Sequence, residues 1–122
     1  MSNEWVRLPL EGRRVRIEAG EREYVVVQRE TGDRVGTVVI EEQGDVLFVR
    51  QLEIEPGSRG YGLGSEVARL LRAAAEQGHW RTLRAWAPPD IGLAVYFWSR
   101  MGLRPLAGAG PNGGLWFERS VG

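Results

Sequence analysis

The chain contains no cysteine and no lysine, and only one histidine, His79. Without cysteine there is no disulfide, no thiol nucleophile and no thiolate metal site. One histidine does not by itself suggest a metal centre, so no metal is expected. The absence of lysine excludes a lysine nucleophile, a Schiff base and a Walker-type phosphate loop, which needs Gly-Lys-Ser/Thr. All 16 basic residues are arginine, and 16 acidic residues bring the formal charge to zero. No excess of one sign therefore argues for nucleic acid or an anionic membrane surface. Long apolar runs are missing too. The longest uncharged one, Ile91–Trp98, is far short of the ~20 residues that span a bilayer. The N-terminus carries neither an apolar segment nor a signal-type cleavage pattern. A soluble, cytoplasmic protein with no nucleic-acid or membrane partner is expected, its 122 residues forming one domain, 1–122.

Glycine is plentiful, and three of the 17 organise the reading. In Glu53–Glu76, EIEPGSRGYGLGSEVARLLRAAAE, a strand ends near Ile54, Pro56-Gly57 breaks it, and Gly60, Gly62 and Gly64 run into a helix. Alternating glycines let backbone N–H groups approach a ligand with no Cβ in the way. The helix adds free N–H donors and the positive end of its dipole, which together make an anion site. Leu63, Val67, Leu70, Leu71 and Ala74 form one apolar stripe at helical spacing, while Glu66, Arg69, Arg72 and Glu76 face away. Gly78 is the natural stop.

Upstream, Arg13–Glu18, Glu23–Arg29 and Arg34–Glu41 alternate in polarity between turn signals, as an antiparallel meander does. Trp5–Leu10 reads as a further strand or an arm, limited to an edge by Pro9. Val46–Val49 is apolar on both faces, which predicts a central strand. The phase breaks at Arg50–Gln51 and resumes at Leu52 and Ile54, as a bulge or a solvated strand end would cause. Downstream, Thr82–Ala87 is a short strand, Asp90 caps a helix over Ile91–Met101 that ends at Gly102, and Leu103–Ala107 and Leu115–Arg119 form a hairpin across Gly108–Gly114. The order β-meander, helix, strand, helix, β-hairpin predicts an α/β (α+β) domain. Its sheet is mixed and mostly antiparallel, with two main helices.

The glycine loop has rivals to exclude. A dinucleotide site needs G-x-G-x-x-G in a parallel βαβ unit with an acid about 20 residues on. Here the third glycine comes one place early, Ser65 fills its slot, and the strand Thr82–Ala87 ends without an acid. A merely structural turn needs one such glycine, and each surplus one costs roughly 0.5–1 kcal/mol of ordering relative to Ala.

The run Arg59-Gly60-Tyr61-Gly62-Leu63-Gly64 resembles the (Gln/Arg)-x-x-Gly-x-(Gly/Ala) signature of the GNAT superfamily of acyl-CoA-dependent N-acyltransferases. Its setting is similar as well, with Leu52-Glu53-Ile54 and Pro56 before it. Ala94–Leu103 resembles the family's later A-x-x-Φ-Y-x-x-x-G-Φ block. The resemblance implies acetyl-CoA as cosubstrate. The amides of Gly60, Gly62, Gly64 and neighbouring Tyr61 and Leu63 would hold its pyrophosphate, with Arg59 as added cation and Ser65 as hydroxyl donor. Leu52 and Ile54 would pair with the pantetheine arm like an added strand, and a splay from Thr82–Ala87 would admit the acyl group. A backbone N–H near Leu52 would polarise the thioester carbonyl. The implied reaction is direct attack of an amine, from a small molecule or from a peptide or protein. Among the carboxylates near the acyl site (Glu53, Glu55, Glu41 and Glu42), Glu53 is the chosen candidate general base.

Two features depart from the family pattern. Its thiolate-protonating tyrosine falls at Trp98, whose indole N–H donates a hydrogen bond but not a proton, and Tyr96 lies on roughly the opposite side of the helix. The two helices usually found between the first and second strands have no counterpart, which predicts a short form. Its acceptor side is either open or completed by a partner subunit, as in a homodimer. The alternative to an enzyme is a catalytically degenerate module that binds acyl-CoA or another protein.

Overall fold

The computed structural model describes residues 8–88, 97–106 and 113–121. Among these, eight strands form a single sheet: β1 (Leu10–Glu11), β2 (Val15–Ala19), β3 (Tyr24–Gln28), β4 (Arg34–Gln43), β5 (Val46–Ile54), β6 (Thr82–Ala87), β7 (Arg104–Pro105) and β8 (Leu115–Ser120). Their order across the sheet is β1-β2-β3-β4-β5-β6-β8-β7. Every pairing is antiparallel except β5 with β6, which are joined by helix α1 (Leu63–Gln77). The sheet is therefore mixed and mostly antiparallel, as the order of elements predicts. The doubly apolar run Val46–Val49 lies in β5, in the middle of the sheet. Trp5, Tyr96, the cap Asp90, helix residues Ile91–Tyr96 and most of the loop Gly108–Gly114 lie outside the described residues.

The apolar stripe becomes the buried face of α1, with Leu63, Val67, Ala68, Leu71, Ala74 and Ala75 turned to the sheet. There they meet Val15, Ile17, Val26, Leu47, Val49 and Ala85 in one core. The helix ends at Gly78, whose N–H reaches back to the carbonyls of Ala74 and Ala75. The second helix is seen at its C-terminal end. Gly102 adopts φ +89, and Leu103 and Gly102 donate to the carbonyls of Trp98 and Ser99, the paired bonds of a Schellman motif.

Alternation along the strands puts Phe48, Arg84, Trp86 and Trp116 on the face opposite α1. No described helix covers that face. Strands β1 and β2 are joined by three residues, Gly12–Arg14, and β2 and β3 by four, Gly20–Glu23, so neither connection holds a helix. Among the described residues no helix is long and apolar enough to cross a membrane.

Candidate functional site

Strands β5 and β6 pair in parallel from Val46–Thr82 to Val49–Ala85 and then part. The cause is local. Val39 of β4 faces Gln51 while the next residue, Ile40, faces Val49, so Arg50 bulges out of β5 without a partner. Of the two explanations for the break in phase at Arg50–Gln51, the bulge is the one found. Beyond it β5 continues to Ile54 alongside β4 alone.

That divergence opens a cleft of about 630 Å³. One wall is Gln51–Ile54; the other is Trp86 and Pro88 with Phe97 and Trp98 from the end of the second helix. At the end of β5, the Glu55 N–H donates to the Val35 carbonyl of β4, while the Ile54 carbonyl instead accepts from the Arg59 side chain. Polar groups of successive residues point to opposite edges of a strand, so the N–H and C=O of Leu52 face the gap. A free strand edge in a cleft is where an extended chain can add as another strand.

The glycine loop closes one end of the cleft. Gly60 and Gly62 have φ of +88 and +78, the left-handed region that a side chain disfavours. Gly62 is the N-cap of α1 and supplies no side-chain oxygen. The N–H groups of Leu63, Gly64 and Ser65 thus have no partner within the helix. The acid of the first turn, Glu66, does not cap them either. Gly64 faces the cleft wall, where a Cβ would lie 3.5 Å from Ile54 and 3.6 Å from Phe97. Arg59 is anchored through Nε, which donates to the Ile54 carbonyl at 2.7 Å; its two terminal nitrogens make no hydrogen bond among the described residues. An uncapped helix start, amides freed by glycine and an anchored guanidinium form a cradle suited to a phosphate-bearing ligand.

Leu52, Ile54, Arg59, Gly60, Gly62, Leu63, Gly64 and Ser65 all line the cleft. Tyr61 does not; its ring is 69% exposed and projects from the loop. Glu53 lines the cleft, and its carboxylate has no ion-pair or hydrogen-bond partner among the described residues. The other carboxylates considered do not line it. Glu41 pairs with Arg50, Glu55 sits 3.8 Å from Arg34, and Glu42 lies opposite Leu47, away from the splayed end. Trp98 lines the cleft and is buried.

One residue behaves otherwise than its helical position suggests. Glu66 does not face away: its side chain is only 12% exposed. Its carboxylate accepts from the backbone N–H groups of Arg14 and Val15 and from Arg14 Nε. Burial pushes the Glu66 carboxyl up, but the two backbone hydrogen bonds and the Arg14 guanidinium outweigh it, leaving a pKa below the ordinary value. Arg14, which no motif singles out, thereby joins the glycine loop to β2.

The sequence matches no family model and no curated protein. Solved structures do match. A GNAT-family acetyltransferase from Bacillus anthracis superposes with a TM-score of 0.79 at 12% identity, over 93% of this chain and 99% of that one. A GNAT family acetyltransferase from Elizabethkingia anophelis, solved with acetyl-CoA bound, gives a TM-score of 0.66 at 8% identity, over 82% of this chain and 77% of that one. Nourseothricin acetyltransferase gives 0.67 at 22% identity over 89% of this chain, which spans 66% of that longer one. At such identities the likeness is one of fold, and the chain has the fold of the GNAT acetyltransferases.

Proposed function

We propose that residues 1–122 form an acetyl-CoA-dependent N-acetyltransferase acting on a primary amine. The observation that carries this reading is the uncapped, glycine-lined start of α1 at the end of the cleft between β5 and β6. Anion cradle, free strand edge and cleft suit the pyrophosphate, pantetheine arm and thioester of one ligand, in that order. A structural neighbour solved with acetyl-CoA supports the choice of ligand.

Acetyl-CoA supplies the acetyl thioester. In the proposed reaction the neutral amine attacks the thioester carbonyl carbon directly. A C–N bond forms, the C–S bond breaks and the thiolate leaves, and the proton that the nitrogen sheds on becoming an amide passes through solvent to the thiolate. Alkyl ammonium groups have a pKa of about 10.4, so the amine must first give up a proton. Glu53 is the candidate acceptor of that proton, directly or through water. The N–H of Leu52, facing the gap, is the candidate donor to the carbonyl oxygen as charge develops. Thiols have a pKa of about 8.5, so the thiolate can leave unaided. That matters here, because Trp98 has no proton to give. The acceptor approaches across the sheet face that carries Phe48 and Trp116, or from a site shared with a second subunit.

Trp98 also favours a second reading, a module that binds acyl-CoA without turnover. Mass spectrometry of the protein with acetyl-CoA and a panel of small and peptidyl amines tests both. Acetylated amine and released thiol support the enzyme; binding without thiol release across the panel supports the module.

A further inference from the structure

The Arg14 side chain engages every nitrogen of its guanidinium. Nε donates to Glu66 Oε1 at 2.9 Å, one terminal nitrogen donates to the Tyr61 carbonyl at 2.6 Å, and the other donates to the Gly62 carbonyl at 3.2 Å. The far side of Glu66 is fixed as well, since Oε2 accepts the backbone N–H of Arg14 at 2.6 Å and of Val15 at 3.0 Å. A planar fork therefore holds two successive carbonyls of the glycine loop against β2.

In a trans peptide the C=O and the following N–H point in opposite directions, and the Tyr61–Gly62 and Gly62–Leu63 bonds are trans. Drawing the carbonyls of Tyr61 and Gly62 toward Arg14 turns the N–H groups of Gly62 and Leu63 away from it. These are amides at the uncapped start of α1. Gly60 and Gly62 both have positive φ, so the Tyr61–Gly62 plane between them has few steric restraints, whereas the Gly62 carbonyl also accepts the Glu66 N–H at 3.2 Å. A flipped Tyr61–Gly62 plane would present a carbonyl oxygen to an anion.

We propose that Arg14, locked by Glu66, is a positioning residue of the coenzyme A site, holding the Gly62 and Leu63 amides toward the pyrophosphate. The proposal rests on the coenzyme A reading above. Arg14 acts here through geometry. Three of its five N–H donors are committed to Glu66 and the two carbonyls, and Glu66 offsets its charge, so the role assigned to it is positional. Lysine could not replace it, having one point of attachment for two carbonyls and a carboxylate.

The test is titration of ¹⁵N-labelled wild type, Arg14→Ala, Arg14→Lys and Glu66→Gln with coenzyme A, and with pantetheine, which lacks the pyrophosphate. In the wild type the Gly62 and Leu63 amide protons move downfield as coenzyme A binds. In Arg14→Ala, with dispersion retained, affinity for coenzyme A falls at least about tenfold, the scale of one charge-assisted hydrogen bond. Those two shifts are lost, while pantetheine affinity changes less than about twofold. If Arg14→Ala does not fold, Arg14→Lys carries the same expectation, because it keeps the cation and loses the fork. Glu66→Gln separates geometry from charge: it adds net positive charge beside the loop yet weakens binding if the clamp matters. Unchanged coenzyme A affinity in the arginine variants, or tighter binding by Glu66→Gln, overturns the clamp. A wild type that binds no coenzyme A overturns the underlying reading instead, and the clamp with it.

Discussion

Glu66 and Val15 stand 51 residues apart in the chain, yet the Glu66 carboxylate accepts the Val15 backbone N–H at 3.0 Å. The same oxygen takes the Arg14 N–H. One largely buried carboxylate thus ties the start of α1 to the start of β2.

This tie makes stability depend on acid pH. The Glu66 pKa is lower folded than unfolded, so the unfolded chain binds more protons between the two values. Its contribution is complete above the ordinary glutamate value of about 4.3 and disappears as pH falls through the lower, folded value. Glu66→Gln should lose roughly 1–3 kcal/mol at neutral pH and show a flatter acid limb. Urea unfolding from pH 7 to 3 measures both. Parallel curves for variant and wild type would contradict the assignment.

The loop glycines should respond differently from each other. At Gly62, φ is +78, so Gly62→Val strains the backbone by about 1–3 kcal/mol and disturbs the amides of the cradle. Gly64→Val has no such backbone problem, but its Cβ starts in contact with Ile54 and Phe97, and its γ-carbons enter the cleft wall. Both variants should remain folded, and calorimetry should find coenzyme A binding severely weakened in each. Unchanged affinity in both would contradict the phosphate-cradle assignment.

Much of this was legible in the residues. Val46–Val49, apolar on both faces, marked the sheet centre, and the stripe from Leu63 marked the buried face of α1. The loop Arg59–Ser65 was readable because glycine spacing is itself a backbone statement. Two things were not. The phase break at Arg50–Gln51 fits a bulge and a frayed end equally well, and only the facing strand, with Ile40 opposite Val49, distinguishes them. Helical period set Glu66 on the polar face, but it borders the apolar stripe, three residues after Leu63 and four before Leu70, and its side chain is only 12% exposed. Its partner, Arg14, arrives through tertiary structure that no local pattern records.

If Glu53 takes the proton of the attacking amine, Glu53→Gln should lower kcat by about 10²–10⁴-fold. Because Glu53 is exposed on β5, the fold and coenzyme A affinity should be little altered. Steady-state kinetics with an acceptor found in the amine panel measures the effect. A kcat within about twofold of wild type would assign the proton elsewhere.

Trp98 offers the converse experiment. It is buried and lines the cleft, and Trp98→Tyr introduces a dissociable proton at that position. Turnover should rise in Trp98→Tyr and not in Trp98→Phe, which loses the same bulk without gaining the hydroxyl. Equal rates in the two variants would mean that leaving-group protonation does not limit the reaction.

The proposed site for coenzyme A is the cleft between β5 and β6, closed by the glycine loop. Titration of the ¹⁵N-labelled protein with coenzyme A tests it most directly. Saturable binding is expected, with the largest amide shifts at Gly60–Ser65 and Leu52–Ile54. No saturable shift, or shifts gathered on another surface with these residues unmoved, would contradict it.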